Sequence, residues 1–166
     1  MTPDDLKNLI RTVPDFPKRG IMFRDITTLL AHGEGLSASV RLISERASAE
    51  HAGAIAGLEA RGFIFGAAVA TRLELGFVPV RKAGKLPVPT IGIDYALEYG
   101  EARLEIDPTL IRPDERVIIV DDLVATGGTA LAAAQLLRRA GAIVDRALFV
   151  IDLPDLGGAR LLRENG

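Results

Sequence analysis

Two periods alternate along the chain. "TPDDLKNLIRTV" opens with Thr2 as a helix N-cap, Pro3 at the first helical position and Asp5 in the first turn. Leu6, Leu9, Ile10 and Val13 then fall on one helical face, so the spacing predicts a helix there. "PDFPKRGIMFRDITTLL" is broken by prolines and glycine and reads as mostly irregular. Leu36, Val40, Ile43 and Ala47 mark a second amphipathic helix, and Ala52 to Leu58 a buried strand. "GFIFGAAVATRLEL" is long enough for a helix, "FVPVRK" reads as a strand, and "RLEID" as a candidate strand. "RVIIVDD" lacks polar alternation, as in a strand covered on both faces. "TALAAAQLLRRAG" is a helix with Arg138 and Arg139 in its last turn and Gly141 as a stop. A strand, "AIVDRALFVIDL", and a short helix, "GGARLLREN", finish the chain.

Strands that alternate with helices predict an α/β fold: a central, mainly parallel sheet with helices on both faces. The 166 residues fit one domain, with no repeat and no linker. Charged residues are 25% and apolar residues 48%, an ordinary globular mix. The net charge of −2 argues against a nucleic-acid surface. No cysteine is present, which removes disulfides and thiolate metal sites and fits a reducing cytoplasm. "MTPDDLKNLI" is not a signal peptide, and no segment approaches the roughly 20 apolar residues of a membrane span. His32 and His51 read as surface residues at helix ends.

The chemistry concentrates in "VIIVDDLVATGGTA", Val117 to Ala130. Ligands of a parallel sheet gather at the carboxyl ends of its strands, where Asp121 and Asp122 fall. Ala125, Thr126, Gly127, Gly128 and Thr129 follow and open a helix, whose unpaired amides and dipole suit an anion. The acids repel a phosphate but accept hydrogen bonds from sugar hydroxyls or approach a hydrated Mg²⁺. The stretch therefore reads as a sugar-phosphate site, with the phosphate in the loop and the diol on the acids. For the acids alone, an Asp-rich turn capping a helix is the plainer account. The Walker and dinucleotide glycine patterns are both absent. "GLEARGF" likewise joins a strand to a helix, so amides near Ala60 to Gly62 and the guanidinium of Arg61 form a second anion site. "RKAGKLPVPTIGIDYALEYGE" carries three cations within five residues and reads as a long basic loop, either functional or solvated.

The first of these stretches resembles the phosphoribosyl-pyrophosphate (PRPP) signature of type I phosphoribosyltransferases. "FPKRGIMFRDITTLL", "GLEARGFIFGAAVA", "RKAGKLPVPT" and "LEYG" resemble the other blocks of the adenine phosphoribosyltransferase family, in the same order. The resemblance implies the type I fold with a small N-terminal hood from residues 1–30, and the reaction of adenine with PRPP to give AMP and pyrophosphate in purine salvage. It implies Mg²⁺ as cofactor, carried with PRPP near Asp121 and Asp122 rather than bound directly, and a homodimer. Glu59, Ala60 and Arg61 correspond to the pyrophosphate loop, which can contain a cis peptide in this family; many relatives have serine where Ala60 stands. Arg81, Lys82 and Lys85 would offset the diphosphate from a mobile lid that includes Tyr99. In the hood, Phe23 would stack on the purine and the backbone near Met22 and Arg24 would supply one acceptor and one donor; without the resemblance Phe23 is equally a core aromatic. Hypoxanthine-guanine enzymes carry an aspartate where this sequence has Ala125, so Glu98 becomes the candidate base, with Arg61 assisting departure of pyrophosphate. Two alternatives stand beside this reading: a transferase for another base, such as xanthine, and a non-catalytic PRPP-sensing regulator. Family members commonly continue past the last helix with a short apolar strand, whereas this sequence ends at "LLRENG".

Overall fold

The structure, a computed structural model, describes residues 1–97 and 100–166. They form two compact units, Met1–Leu42 and Ile43–Gly166.

In the first unit α1 spans Pro3–Asn8. Thr2 caps it as expected: its hydroxyl accepts the Asp5 amide at 3.3 Å, and the Asp5 carboxylate accepts the Thr2 amide at 2.7 Å. The helix ends earlier than the apolar stripe predicts. Val13 lies instead in β1 (Arg11–Pro14), antiparallel to β2 (Met22–Asp25), with Val13 opposite Phe23. The β-branched Ile10, Thr12 and Val13 disfavour a continued helix, and the ladder offers their backbone a partner. The irregular stretch expected after Val13 is thus partly ordered, and α2 (Thr27–Leu30) follows β2 directly. Arg11 pairs with Asp25 across the hairpin. The next helix, α3, spans Gly33–Ala49 and starts where the His32 Nδ1 accepts the Gly35 amide at 3.1 Å. His32 and His51 are both exposed at its ends, as read from the sequence.

The second unit is a six-stranded sheet. Its strands are β3 (Ala54–Leu58), β4 (Gly76–Lys82), β5 (Ile91–Ala96), β6 (Glu101–Ile106), β7 (Val117–Val124) and β8 (Ala147–Asp152). Their order is β5-β6-β4-β3-β7-β8. β4, β3, β7 and β8 run parallel; β6 and β5 add antiparallel at one end. The parallel strands are joined by α4 (Gly62–Leu73) and α5 (Gly128–Arg139), and α6 (Gly158–Glu164) ends the chain. β3 is buried along its whole length, which is why it carries no polar residue. Ala54, Ala56 and Leu58 join the core cluster that contains Ala133, Leu136 and Leu137 of α5. On the opposite face Gly57 approaches Gly66 of α4: a Cβ on Gly66 would stand 3.4 Å from the Gly57 Cα. Helices therefore cover both faces. Phe65 of α4 is fully buried, and truncating such a ring to alanine typically costs about 3–5 kcal/mol.

β5 corrects the sequence reading, in which residues 81–101 form one long basic loop. Ile91, Ile93 and Tyr95 alternate with Gly92, Asp94 and Ala96, the period of a strand, but the prolines just before them obscure it. Arg103 of β6 bridges Asp94 of β5 at 3.0 Å and Glu105 at 3.3 Å. Glu105 in turn accepts the Gly84 amide at 3.0 Å, so this hairpin holds the turn that carries Lys85.

Candidate active site

β3 sends its connection to one side through α4, and β7 sends its own to the other through α5, so the chain parts at the carboxyl ends of these neighbouring strands. Such a switch point leaves a crevice. Here a cavity of about 440 Å³ is lined by Glu59, Ala60, Arg61 and Lys82 and by Asp121 through Ala130. Most of the residues singled out in the sequence are thereby brought together.

The turn after β3 is short. The Glu59–Ala60 peptide is cis, a feature this loop can have in the family it resembles, and Arg61 precedes α4 without a side-chain cap. The Glu59 carboxylate lines the cavity and is met by donors from β4. One of its oxygens accepts both the Lys82 amide at 2.9 Å and the Arg81 Nε at 3.2 Å. The Lys82 amide, opposed by burial and helped by Arg81, holds the Glu59 carboxyl below its usual range. Arg81 also donates to the Lys85 carbonyl at 3.2 Å and lies 6.0 Å from the Phe63 ring centroid. Of the three cations of this segment only Lys82 lines the cavity; Arg81 and Lys85 do not.

The turn after β7 carries the acids. Asp122 is buried and accepts a hydrogen bond from the Arg61 Nε, which ties the two turns together. The Asp122 amide donates to Asp121 at 2.8 Å. Burial pushes the Asp121 carboxyl up to about 7; the Asp122 amide and Arg61 oppose this, and the Asp122 charge adds to it. Gly62, which the sequence reading used only as a source of amides, leaves room for this acid. A Cβ there would stand 2.7 Å from an Asp121 carboxylate oxygen. Its position straight after the "EAR" turn was the available signal. Gly127 takes φ +85°, which a side chain would oppose, and starts α5. The first amides of α5 have no acceptor within the helix and open on the same cavity.

Met22, Phe23 and Arg24, which the resemblance implies on the base side, lie in β2 of the first unit. Met22 is exposed, Phe23 is half-buried with its ring 5.1 Å from that of Phe16, and Arg24 donates to the Thr12 hydroxyl. Glu98 and Tyr99 lie outside the described residues. Among the described residues no helix is long and apolar enough to cross a membrane, and no cluster of three or more metal-ligating side chains occurs.

The phosphoribosyl transferase domain family matches residues 25–155. The chain belongs to this family. Over 166 residues it is 72% identical to the adenine phosphoribosyltransferase of Novosphingobium aromaticivorans, covering 100% of this chain and 93% of that one. The crystal structure of the adenine phosphoribosyltransferase from Thermoanaerobacter pseudethanolicus superposes with a TM-score of 0.92 at 46% identity, over 97% of this chain and 94% of that one. The Saccharomyces cerevisiae enzyme, complexed with an imino-altritol bisphosphate and adenine, gives a TM-score of 0.91 at 36% identity, over 95% and 92%. This phosphoribosyl transferase chain therefore has the type I fold expected from its sequence, with the added finding that its sheet is mixed.

Proposed function

We propose that this chain transfers the 5-phosphoribosyl group of PRPP to adenine, giving AMP and pyrophosphate in purine salvage. The observation that carries the reading is the single cavity in which the Thr126–Thr129 loop, the Asp121–Asp122 pair and the Arg61 turn meet. Relatives of 72% and 46% identity that bear the name adenine phosphoribosyltransferase support adenine as the base.

In this reading the loop amides and the hydroxyls of Thr126 and Thr129 hold the 5-phosphate. Asp121 and Asp122 accept hydrogen bonds from the ribose diol. Arg61 and Lys82 carry the charge of the departing pyrophosphate. Glu59 acts one step back, by fixing Lys82 and Arg81. A pair of adjacent carboxylates is the hard-oxygen donor set that suits Mg²⁺ held through water and substrate oxygens; there it would neutralise charge on the pyrophosphate. As the C1–oxygen bond loosens, its electron pair leaves with pyrophosphate, and the negative charge of the acids stabilises the cationic sugar. The adenine nitrogen attacks from the opposite face. Glu98 takes the proton from N7, while Phe23 stacks on the base and the backbone at Met22 and Arg24 reads its edge. Tyr99 and Lys85 belong to the segment that excludes water. The protein works as a cytoplasmic homodimer; the want of cysteine fits that compartment.

Mixing the protein with PRPP, Mg²⁺ and each purine base in turn tests the proposal. Pyrophosphate should appear with adenine and at most weakly with hypoxanthine, guanine or xanthine. Preference for an oxopurine would make it a transferase for another base, and PRPP binding without pyrophosphate release would make it a regulator.

A further inference from the structure

The phosphate loop is gripped from behind by a part of the chain outside every motif. The Gly158 amide, at the start of α6, donates to the Ala125 carbonyl at 2.9 Å, and the Leu153 amide donates to the Val124 carbonyl at 3.1 Å. The contact leaves no room for a side chain. A Cβ on Gly158 would stand 2.3 Å from the Ala125 oxygen, 2.7 Å from the Val124 Cγ2 and 2.8 Å from the Gly127 nitrogen. From the other side, a Cβ on Gly127 would stand 2.8 Å from the Gly158 oxygen and 2.9 Å from its Cα. Nearly all of these are backbone atoms, which cannot swing aside as a flexible side chain can. Two glycines thus bring two stretches of backbone into direct contact, and the far side of one of them is the cavity wall.

We propose that Gly158 is a positioning residue for substrate binding: it sets the curvature of the 125–129 loop and thereby the affinity for the 5-phosphate of PRPP and AMP. The inference rests on the reading that this loop holds that phosphate. The adjacent glycine supplies the contrast. Gly157 has φ +76° and only the Arg160 guanidinium near its missing Cβ, at 3.2 Å. It is glycine for its turn, not for space near the loop. Gly158 has no positive φ and is glycine for space alone. A methyl group at Gly158 must move the loop by about an ångström to reach ordinary contact, a displacement that can cost about 10²-fold where a substrate is held in register.

The test uses the full chain. Gly158→Ala should raise KM for PRPP and weaken AMP binding by about 10- to 100-fold, with kcat at saturating PRPP and the affinity for Mg²⁺-pyrophosphate close to the parent's. Gly157→Ala should lower the melting temperature and leave both constants for PRPP unchanged. A purely structural role for Gly158 would reduce the active fraction instead, lowering kcat at constant KM, and that result overturns the proposal. Thr129→Val separates the two levels of inference. If it leaves AMP affinity intact, the loop is not the phosphate site and both readings fall. If it weakens AMP while Gly158→Ala does not, only the role of Gly158 falls. Should Gly158→Ala not fold, amide hydrogen exchange on the parent protein decides: AMP, but not pyrophosphate, should slow exchange of the Gly158 amide, and equal exchange with and without AMP overturns the proposal.

Discussion

The turn after β3 and the turn after β7 do similar work by different means. Each joins a buried parallel strand to a helix, and each offers an anion site at the same sheet edge. The first has three residues between strand and helix and is braced by charged side chains: Glu59 ties down Arg81 and the Lys82 amide, and Arg61 pairs with Asp122. The second is braced by backbone, through Gly127 and the Ala125 carbonyl. The contrast teaches that the two halves of one cavity wall need not be built alike. In the proposed reading, the departing pyrophosphate is held by groups that can follow its charge, and the phosphate that stays is held by a frame that does not move.

The acids that join the turns give the largest expected effect. Asp121→Asn with Asp122→Asn should lower kcat/KM for PRPP by about 10³-fold, while adenine binding stays near the parent's. Steady-state kinetics with each substrate varied decides, and unaltered PRPP kinetics would take the pair out of the site. A carboxylate belonging to neither turn comes next. Glu98→Gln should lower kcat roughly 10²-fold with KM for PRPP preserved, since glutamine cannot accept the proton. Turnover close to the parent's would move proton transfer elsewhere.

A smaller effect separates the two kinds of bracing. Glu59→Gln keeps an acceptor but loses the charge that holds Arg81 and the Lys82 amide. We expect about three- to tenfold weaker pyrophosphate binding with AMP affinity unchanged, measured by calorimetry. Equal losses for both ligands would mean that the two turns act as one unit.

The last effect is on stability rather than on a ligand. The folded-state pKa of Asp121 is raised from 3.8 to about 7, so its neutral form is the one the fold favours. Stability is therefore full below the unfolded value and falls as pH rises toward 7. Asp121→Asn removes that loss and still accepts the Asp122 amide. The ligand-free variant should gain about 1–2 kcal/mol over the parent, the advantage opening between about pH 4 and pH 7 and staying flat above. Denaturant midpoints across that range check the sign, and a variant less stable at pH 8 would refute it.

Much of the second unit was legible because its signals are local. "VIIVDD" has no polar alternation, and a strand buried on both faces needs none; "TALAAAQLLRRAG" carries its own helical period and stop. The segments that were misread depend on partners distant in sequence. Val13 fits a helical stripe equally well until β2 offers its ladder, and the alternation at Ile91, Ile93 and Tyr95 only acquires meaning beside β6. The part of the candidate site that lines the cavity was legible in "VIIVDDLVATGGTA", in "GLEARGF" and at Lys82, since these residues are chemically distinctive. Its supports were not. Gly62 and Gly158 matter through the side chain they lack, and a glycine needed for space looks in sequence like one needed for a turn.

The sheet order carries a consequence for how the protein is made. β3 and β7 are neighbours, with Ala54 opposite Val117, although α4 and the strands β4, β5 and β6 intervene in the chain. Parallel pairing over such a span closes late, because the loop entropy is spent before the contacts form. The cavity sits on that seam, so a chain that has folded only its local pieces lacks this cavity altogether. Catalytic competence should then appear in the slowest refolding phase. In the proposed reading AMP recognises only the finished seam, and it should slow unfolding rather than hasten collapse.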